Sequence, residues 1–519
     1  MEQFKLIAKT FQGLEELLAK ELTDLGASDV TVGRRMVSFT GDKEMMYRAN
    51  FSLRTAVRIL KPIASFKAHT ADEVYDAVKA INWNEFLDLN TSFAVDSVVY
   101  SEDFRHSKFV AYKVKDAIVD FFREQTGKRP NISVTNPDIK FNMHIAEDEC
   151  TLSLDSSGES LHKRGYRDAT VPSPINEVLA AGMIMLTGWQ GETDLIDPMC
   201  GSGTIAIEAA LIARNIAPGV FRKHFAFESW KDFDRDLLDQ IYNDDSKERE
   251  FVHHIYAYDI DKQAVAAATQ NVKSAGVSAL VSVIGQPLQQ FKQPEEKAIM
   301  ITNPPYGERI SSPNLLGLYR TLGEKLKHQF VGNDAWVIGY HEETFEQIGL
   351  RPSVKIPLYN GSLDCLFCKY QIFDGKLHQF RSQGNILKTT EELQRNAQKR
   401  KLRPHRETVQ AEDAGNDMYA DVPEYVMKRH REFVQRQQVE SRRQLHREEL
   451  RQGKTEHSAP AYERKREEPS QGRAYHGDRR NEYGGQRQGG RNEERGRNVH
   501  GFNNKNGRKG RHFNAYDED

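Results

Sequence analysis

The sequence predicts an α/β protein built on a doubly wound, mostly parallel sheet with an antiparallel edge. Three observations carry this reading. Between 194 and 373, short apolar runs alternate with segments whose apolar residues repeat at helical spacing. One run, Asp194-Leu195-Ile196-Asp197, ends in the turn Pro198-Met199-Cys200-Gly201-Ser202-Gly203-Thr204 and leads into the helical Ile205-Ala206-Ile207-Glu208-Ala209-Ala210. The last two runs, over 354–358 and 363–373, have no helical segment between them and must pair antiparallel.

The chain has 519 residues, too many for one ordinary core, and only 38% of them are hydrophobic, so part of it is expected to stay unfolded. Its 73 basic and 75 acidic residues nearly cancel to a formal charge of -2, so any nucleic-acid affinity must come from local patches. Four cysteines are too few for a disulfide framework, and no signal peptide or membrane-spanning apolar run is seen. A soluble cytoplasmic protein with no membrane partner is expected. Cys365 and Cys368 form a C-x-x-C without a second pair to complete a zinc site, which favours packing in a late strand over metal binding.

Residues 1–60 read as a small α/β unit. A strand over 4–8 precedes a helix with Leu14, Leu17, Leu18 and Leu22 on one face, and short strands follow over 30–32 and 36–39. A second unit, 61–155, has a helix through Val74, Val78 and Ile81, a strand over 92–99, a helix over 108–122, and strands over 131–135, 139–145 and 150–154. Arg105, His106, Lys108, Lys113 and Lys115 gather near the start of the 108–122 helix, where the positive end of the helix dipole adds to their charge. Phosphate binding and a solvated helix face are both consistent with that cluster.

A catalytic domain is expected over 156–385. In Leu161-His162-Lys163-Arg164-Gly165-Tyr166-Arg167, cations surround a glycine and a tyrosine, a composition suited to phosphate or nucleobase contact, so Arg164, Tyr166 and Arg167 join Arg105, Lys108 and Lys113 as candidate nucleic-acid contacts, with a linker charged for solubility alone as the plainer reading. Pro172 and Pro174 then open a helix over 176–186. In the glycine turn, Gly201 and Gly203 let the backbone approach a nucleotide-type cofactor closely, and Asp197 stands where a carboxylate can hold an ammonium group. The next strand, over 254–259, ends in Asp259, placed to accept from two ribose hydroxyls, while Asp261 caps the following helix. Between these strands Phe225, Phe227 and Trp230 are assigned to packing. A third strand over 280–284 ends at Gly285-Gln286.

The fourth strand stops at Asn303-Pro304-Pro305-Tyr306, followed by Gly307-Glu308-Arg309. Each proline has a fixed φ and no N–H, so the chain leaves the sheet as a stiff extended turn. The Asn303 amide oxygen and the Pro304 carbonyl can accept both hydrogens of an exocyclic NH₂, drawing its lone pair toward an electrophile. Tyr306 offers a ring for a flipped-out base. The plainer reading is a strand-ending turn.

Beyond 385 the composition changes. Residues 386–452 are rich in Gln, Glu, Arg and Lys, expected as a charged, helix-capable extension. Residues 453–519 are rich in Gly, Arg, Asn and Gln and cannot bury a core, expected as a disordered tail that binds RNA loosely or only solubilises.

The glycine turn at Asp197, then Asp259, then Asn303-Pro304-Pro305-Tyr306, in that order, resemble class I S-adenosyl-L-methionine-dependent amino-methyltransferases. With Asp155-Ser156-Ser157-Gly158 and the 161–167 run, residues 1–375 are similar to the THUMP-containing rRNA guanine-N2 methyltransferases, often labelled N6-adenine-specific DNA methylases. The resemblance implies a ferredoxin-like unit over 1–60, a THUMP RNA-binding domain over 61–155 and a Rossmann-like class I methyltransferase domain over 156–385. It assigns cofactor binding to Asp197, Gly201, Gly203, Thr204, Asp259 and Gln286, and catalysis to Asn303, Pro304, Pro305 and Tyr306. Many relatives carry an acid where this chain has Gln286, whose amide oxygen is the acceptor available. The implied reaction is methyl transfer to the N2 amine of a guanine in 23S rRNA, with no metal and with a monomer favoured. An N6-adenine DNA methyltransferase, a tRNA guanine-N2 methyltransferase and a non-catalytic ribosome-assembly factor are the alternatives.

Overall fold

The structure is a computed structural model that describes residues 2–306 and 312–375. The expectations for 386–452, for 453–519 and for Gly307-Glu308-Arg309 lie outside the described residues.

The first half is organised by one seven-stranded sheet. Its elements are β1 (Phe4–Lys9), α1 (Glu15–Asp24), β2 (Ser28–Gly33), β3 (Met36–Gly41), α2 (Lys43–Ser52), β4 (Arg58–Lys67), α3 (Ala71–Lys79), β5 (Phe93–Tyr100), α4 (Ser107–Thr126), β6 (Ile139–Ala146) and β7 (Glu149–Asp155). The strand order is β2-β3-β1-β4-β7-β6-β5. Period-two burial selects the inward face: Val37 and Phe39 on β3, and Ile139, Phe141, Met143 and Ile145 on β6, are buried. The strand β4, absent from the sequence reading, pairs antiparallel with β1 through its first residues and with β7 along its length. Its mid-strand Pro62 disguises it, and the ladder slips between Pro62 and Ala64 to accommodate the missing donor. Residues 1–60 and 61–155 therefore share a sheet, with β4 spanning the join.

The expected strand over 131–135 is corrected to a single bridge, Ile132 to Phe93. Pro130 and Pro137 flank it and prevent a continuing ladder.

At the exit from β7, the run Asp155-Ser156-Ser157-Gly158 is a clasp. The Asp155 carboxylate accepts the N–H groups of Ser157 and Gly158, both at 3.0 Å, and pairs with Arg58. Ser157 Oγ accepts from the Ile59 N–H at 2.8 Å and donates to Asn50 Oδ1 at 2.6 Å.

The second half contains α5 (Glu177–Thr187), β8 (Asp194–Asp197), α6 (Thr204–Arg214), α7 (Arg235–Tyr242), β9 (Ile255–Asp259), α8 (Lys262–Ser274), β10 (Val281–Gly285), β11 (Ala298–Thr302), α9 (Ser312–Gln329), β12 (Asp334–Gly339), α10 (Glu342–Ile348), β13 (Val354–Asn360) and β14 (Leu363–Gln371). The sheet order is β10-β9-β8-β11-β12-β14-β13. Strands β8 to β12 pair parallel; the edge is antiparallel, as expected, with β14 set between β12 and β13. One face packs on α5, α6 and α8, the other on α9. Cys365 and Cys368, three apart on β14, fall on opposite faces and are buried in different core clusters.

The chain steps from β8 outward to β9 and β10, then returns to the other side of β8 for β11. The crevice between β8 and β11 is the topological switch point of the sheet, where open α/β folds take their ligands. Between β8 and β9, Phe225 and Phe227 are fully buried against the first-half core, and the Phe227 ring stacks on Tyr47 at 4.1 Å, in keeping with their assignment to packing. Among the described residues, no helix is long and apolar enough to cross a membrane.

Candidate active site

Strand β8 ends at Asp197 and the following turn is shaped by its glycines. Gly201 and Gly203 have φ of 54° and 81°, in the left-handed region that favours glycine. A Cβ on Gly203 would lie 3.2 Å from Cβ of Ala268, so the turn packs closely on α8 and a side chain there would force a shift of a few tenths of an ångström. The Cys200 N–H donates to the Tyr258 carbonyl at 2.8 Å, and the Gly201 N–H donates to Asp259 Oδ2 at 2.9 Å. The turns after β8 and β9 are thereby fastened together. Asp259 is half-buried and its Oδ1 accepts from the Asp261 N–H at 2.9 Å; Asp261 caps α8 through the Gln263 N–H. Gln286, just past β10, donates its N–H to the Asp259 carbonyl at 2.9 Å, placing the expected cofactor residues along one sheet end.

Asp197 is 1% exposed. Its Oδ1 accepts from Thr302 Oγ1 at 2.9 Å and from the Met199 N–H at 3.3 Å, while Oδ2 is buried with no hydrogen-bond partner among the described residues. Burial pushes the carboxyl up to about 7; the two hydrogen bonds oppose that rise, and the charge of Asp259 adds to it. An unsatisfied buried oxygen beside a glycine turn fits a ligand carrying a cationic donor.

Thr302 ends β11, and Asn303, Pro304, Pro305 and Tyr306 follow as non-helical, non-strand chain, with Pro304 buried. The Tyr306 hydroxyl donates to Asn303 Oδ1 at 2.5 Å and accepts from Asn360 Nδ2 at 3.3 Å. The ring of Tyr306 is partly buried against the core that includes Leu358 and Cys365. Asn303 Oδ1 keeps a second lone pair.

The 161–167 run requires correction. Arg164 is 2% exposed, donates to the carbonyls of Leu161 and Arg54 at 2.7 and 2.5 Å, and pairs with Glu208 at 3.4 Å. Tyr166 is 1% exposed and donates its hydroxyl to Glu208 at 2.9 Å. Arg167 donates to Glu177, Ser202, Thr204 and the Ile175 carbonyl, at 2.8 to 3.1 Å. Acids and carbonyls drawn from both halves of the chain hold their polar groups, with Arg164 and Tyr166 buried and Arg167 part-buried, so the expected exposed recognition loop is not what the structure shows. Arg167 instead braces the glycine turn, and in doing so occupies the Thr204 hydroxyl. Asn271 on α8 adds to this brace: its amide bonds both the 168–169 backbone and the Ser202 carbonyl.

The other basic candidates divide. Arg105 and Lys108 are exposed at the start of α4, whose first turn has no acid, whereas Lys113 is paired with Asp72 at 2.6 Å. Tyr100, Phe109 and Tyr112 beside them are 59%, 53% and 59% exposed. Sequence reasoning missed Thr302, Asn271 and Asn360. Thr302 was legible as the polar last residue of an otherwise apolar strand; Asn271 and Asn360 carried no local signal.

Three family models match the chain: an RlmL ferredoxin-like domain over residues 5–60, a THUMP domain over 68–155 and an RMKL-like methyltransferase domain over 164–369. A ribosomal RNA large subunit methyltransferase K/L of Syntrophotalea carbinolica is 37% identical over 82% of this chain, which spans 61% of that relative's length. A Synechocystis protein named as a candidate RNA methyltransferase is 37% identical over 70% of this chain and 96% of its own. Among solved structures, SMU.472, described as a candidate methyltransferase complexed with SAH, aligns with a TM-score of 0.65 and 30% identity over 72% of this chain and all of its own. With the glycine turn, the Asp259 clasp and the Asn303 turn lined along one sheet end, the chain belongs to the THUMP-containing methyltransferases with an RMKL-like catalytic domain.

Proposed function

We propose that the chain is an S-adenosyl-L-methionine-dependent methyltransferase that acts in the cytoplasm on the exocyclic N2 amine of a guanine in 23S rRNA. One observation carries the reading: β8 and β11 are adjacent parallel strands, so the glycine turn and Asn303 leave the sheet side by side, with Thr302 bonded to Asp197.

Asp197, Gly201, Gly203, Asp259 and Gln286, with the backbone at Thr204, would hold the cofactor, whose ammonium suits the unpartnered Asp197 oxygen. When bound, S-adenosyl-L-methionine supplies a methyl group already activated on a sulfonium. The remaining work is positioning. Asn303 Oδ1 and the Pro304 carbonyl would accept the amine's hydrogens, which turns the nitrogen lone pair out of conjugation, and the nitrogen made cationic by methylation would release one of those hydrogens as a proton to solvent; the Pro304-Pro305 turn holds both acceptors stiffly.

RNA binding is assigned to Arg105 and Lys108 with the exposed rings of Tyr100, Phe109 and Tyr112. Cations can hold phosphate while aromatic faces stack on unpaired bases.

In the decisive experiment, nucleoside mass spectrometry is run on rRNA from cells lacking the gene. The expected result is loss of N2-methylguanosine from large-subunit rRNA, restored by the wild-type chain and not by Asn303→Ala. The purified variant should bind S-adenosylhomocysteine within about twofold of wild type. Loss of N6-methyladenosine would move the target to adenine, and an undisturbed rRNA profile would remove the rRNA assignment.

A further inference from the structure

We infer that Asn360, on the β13–β14 hairpin, is a positioning residue that orients the Asn303 amide through the hydroxyl of Tyr306. The inference rests on the methyl-transfer reading of the Asn303 turn and adds a residue to it. Asn360 is the last residue of β13 and pairs with Leu363 across a turn in which Gly361 has φ of 61°. The hairpin is separated from β11 by β12, yet it opens at the sheet end where Asn303 leaves β11. Tyr306 spans the gap, its ring set against the core cluster that includes Cys365, and its hydroxyl, which also neighbours the Cys365 thiol, bonds to both asparagines.

The hydrogen bonds in this chain have a direction. Asn360 Nδ2 donates to the Tyr306 oxygen, and the phenol has one proton, which lies on the 2.5 Å contact to Asn303. A proton arriving there is satisfied only by the oxygen end of the Asn303 amide. The opposite rotamer would set N–H against O–H. The same rotamer serves the reaction, because the remaining lone pair of Oδ1 must meet the target amine and an amide NH₂ there would repel it. The hydroxyl is held neutral by burial, which keeps its proton available to donate. Asn360 thus selects which end of a nearly symmetric amide faces the substrate.

The test is a double-mutant cycle on turnover with rRNA. Asn360→Asp presents only acceptors, so it draws the Tyr306 proton to itself and releases Asn303. A loss of about tenfold in kcat is expected, with KM for RNA and affinity for S-adenosylhomocysteine within about twofold. Tyr306→Phe, which keeps the ring, should lose a similar factor. The pair Asn360→Asp with Tyr306→Phe should lose no more than Tyr306→Phe alone. Asn360→Gln, which restores an amide donor, should recover most of the rate. Two outcomes overturn the relay and leave the site assignment standing: multiplying losses in the double variant, or wild-type turnover in Asn360→Asp while Asn303→Ala is dead. Undiminished turnover in Asn303→Ala overturns the site assignment and the relay together.

Discussion

Thr302, the last residue of β11, donates its hydroxyl proton to Asp197 at the end of β8, 2.9 Å away and inside the core. This bond joins the strand end that carries the candidate acceptor turn to the strand end that carries the glycine turn. Replacing Thr302 with Val keeps the shape and deletes the donor, leaving a second Asp197 oxygen with a weaker partner set. Calorimetry with S-adenosylhomocysteine should show about tenfold weaker binding, with Thr302→Ser close to wild type. Equal affinity in all three proteins would dissociate the bond from the cofactor site.

The Asp197 carboxyl, pushed up to about 7 chiefly by burial, makes a signed prediction. Its folded value lies above the unfolded one, so the folded apo protein holds this proton across the range from about pH 4 to about pH 7, and the stability that gives is lost as pH rises through 7. A ligand ammonium favours the ionised carboxylate. Binding of S-adenosylhomocysteine should therefore tighten between about pH 6 and about pH 8 and release a proton near pH 6.5, visible in buffers of different ionisation enthalpy. Asp197→Asn should flatten both trends and melt higher than wild type at pH 8 when no ligand is present. A pH-independent affinity would contradict the assignment.

Arg164 and Glu208 are a buried pair, and Glu208 Oε2 already has no hydrogen-bond partner among the described residues. Arg164→Ala would leave the buried carboxylate with the Tyr166 hydroxyl and the charge of Arg54 alone to offset it, and would strip the Arg54 carbonyl of its donor. Thermal or denaturant unfolding should report a loss of about 3 kcal/mol or more. At temperatures where the variant is folded, the salt dependence of its RNA binding should match wild type. A changed salt slope would restore Arg164 as a phosphate contact.

Arg105 and Lys108 carry the opposite expectation. Both are exposed, Lys108 on the acid-free first turn of α4 and Arg105 just before its cap, and neither is paired with an acid among the described residues. Alanine at either position should weaken RNA binding across sequences and lower the slope of log affinity against log salt by about one. Lys113, held by Asp72, should change the slope less. Filter binding across a salt series decides this.

Much of the catalytic half was legible because its signals are local. A glycine needed at positive φ, a carboxylate at a strand end and two consecutive prolines each constrain the backbone within a few residues, and the structure places Gly203, Asp259 and Asn303 at the end of one sheet. The first half was read less completely. Strand β4 was hidden by Pro62, tolerated because the ladder slips beside it.

What the sequence determined by itself was the alternation of strands and helices and the chemistry offered at each strand end, since both follow from local periodicity and backbone sterics. What tertiary structure decided was which side chains of similar composition face solvent and which face one another. Arg164, Tyr166 and Arg167 looked like a basic recognition loop, yet Glu208 and Glu177, supplied from elsewhere in the chain, draw them inward. Asn360 had no visible role until the sheet order brought its hairpin to Tyr306. A charge or an amide acquires its function from its partner, and partners distant in sequence are chosen by strand order and packing.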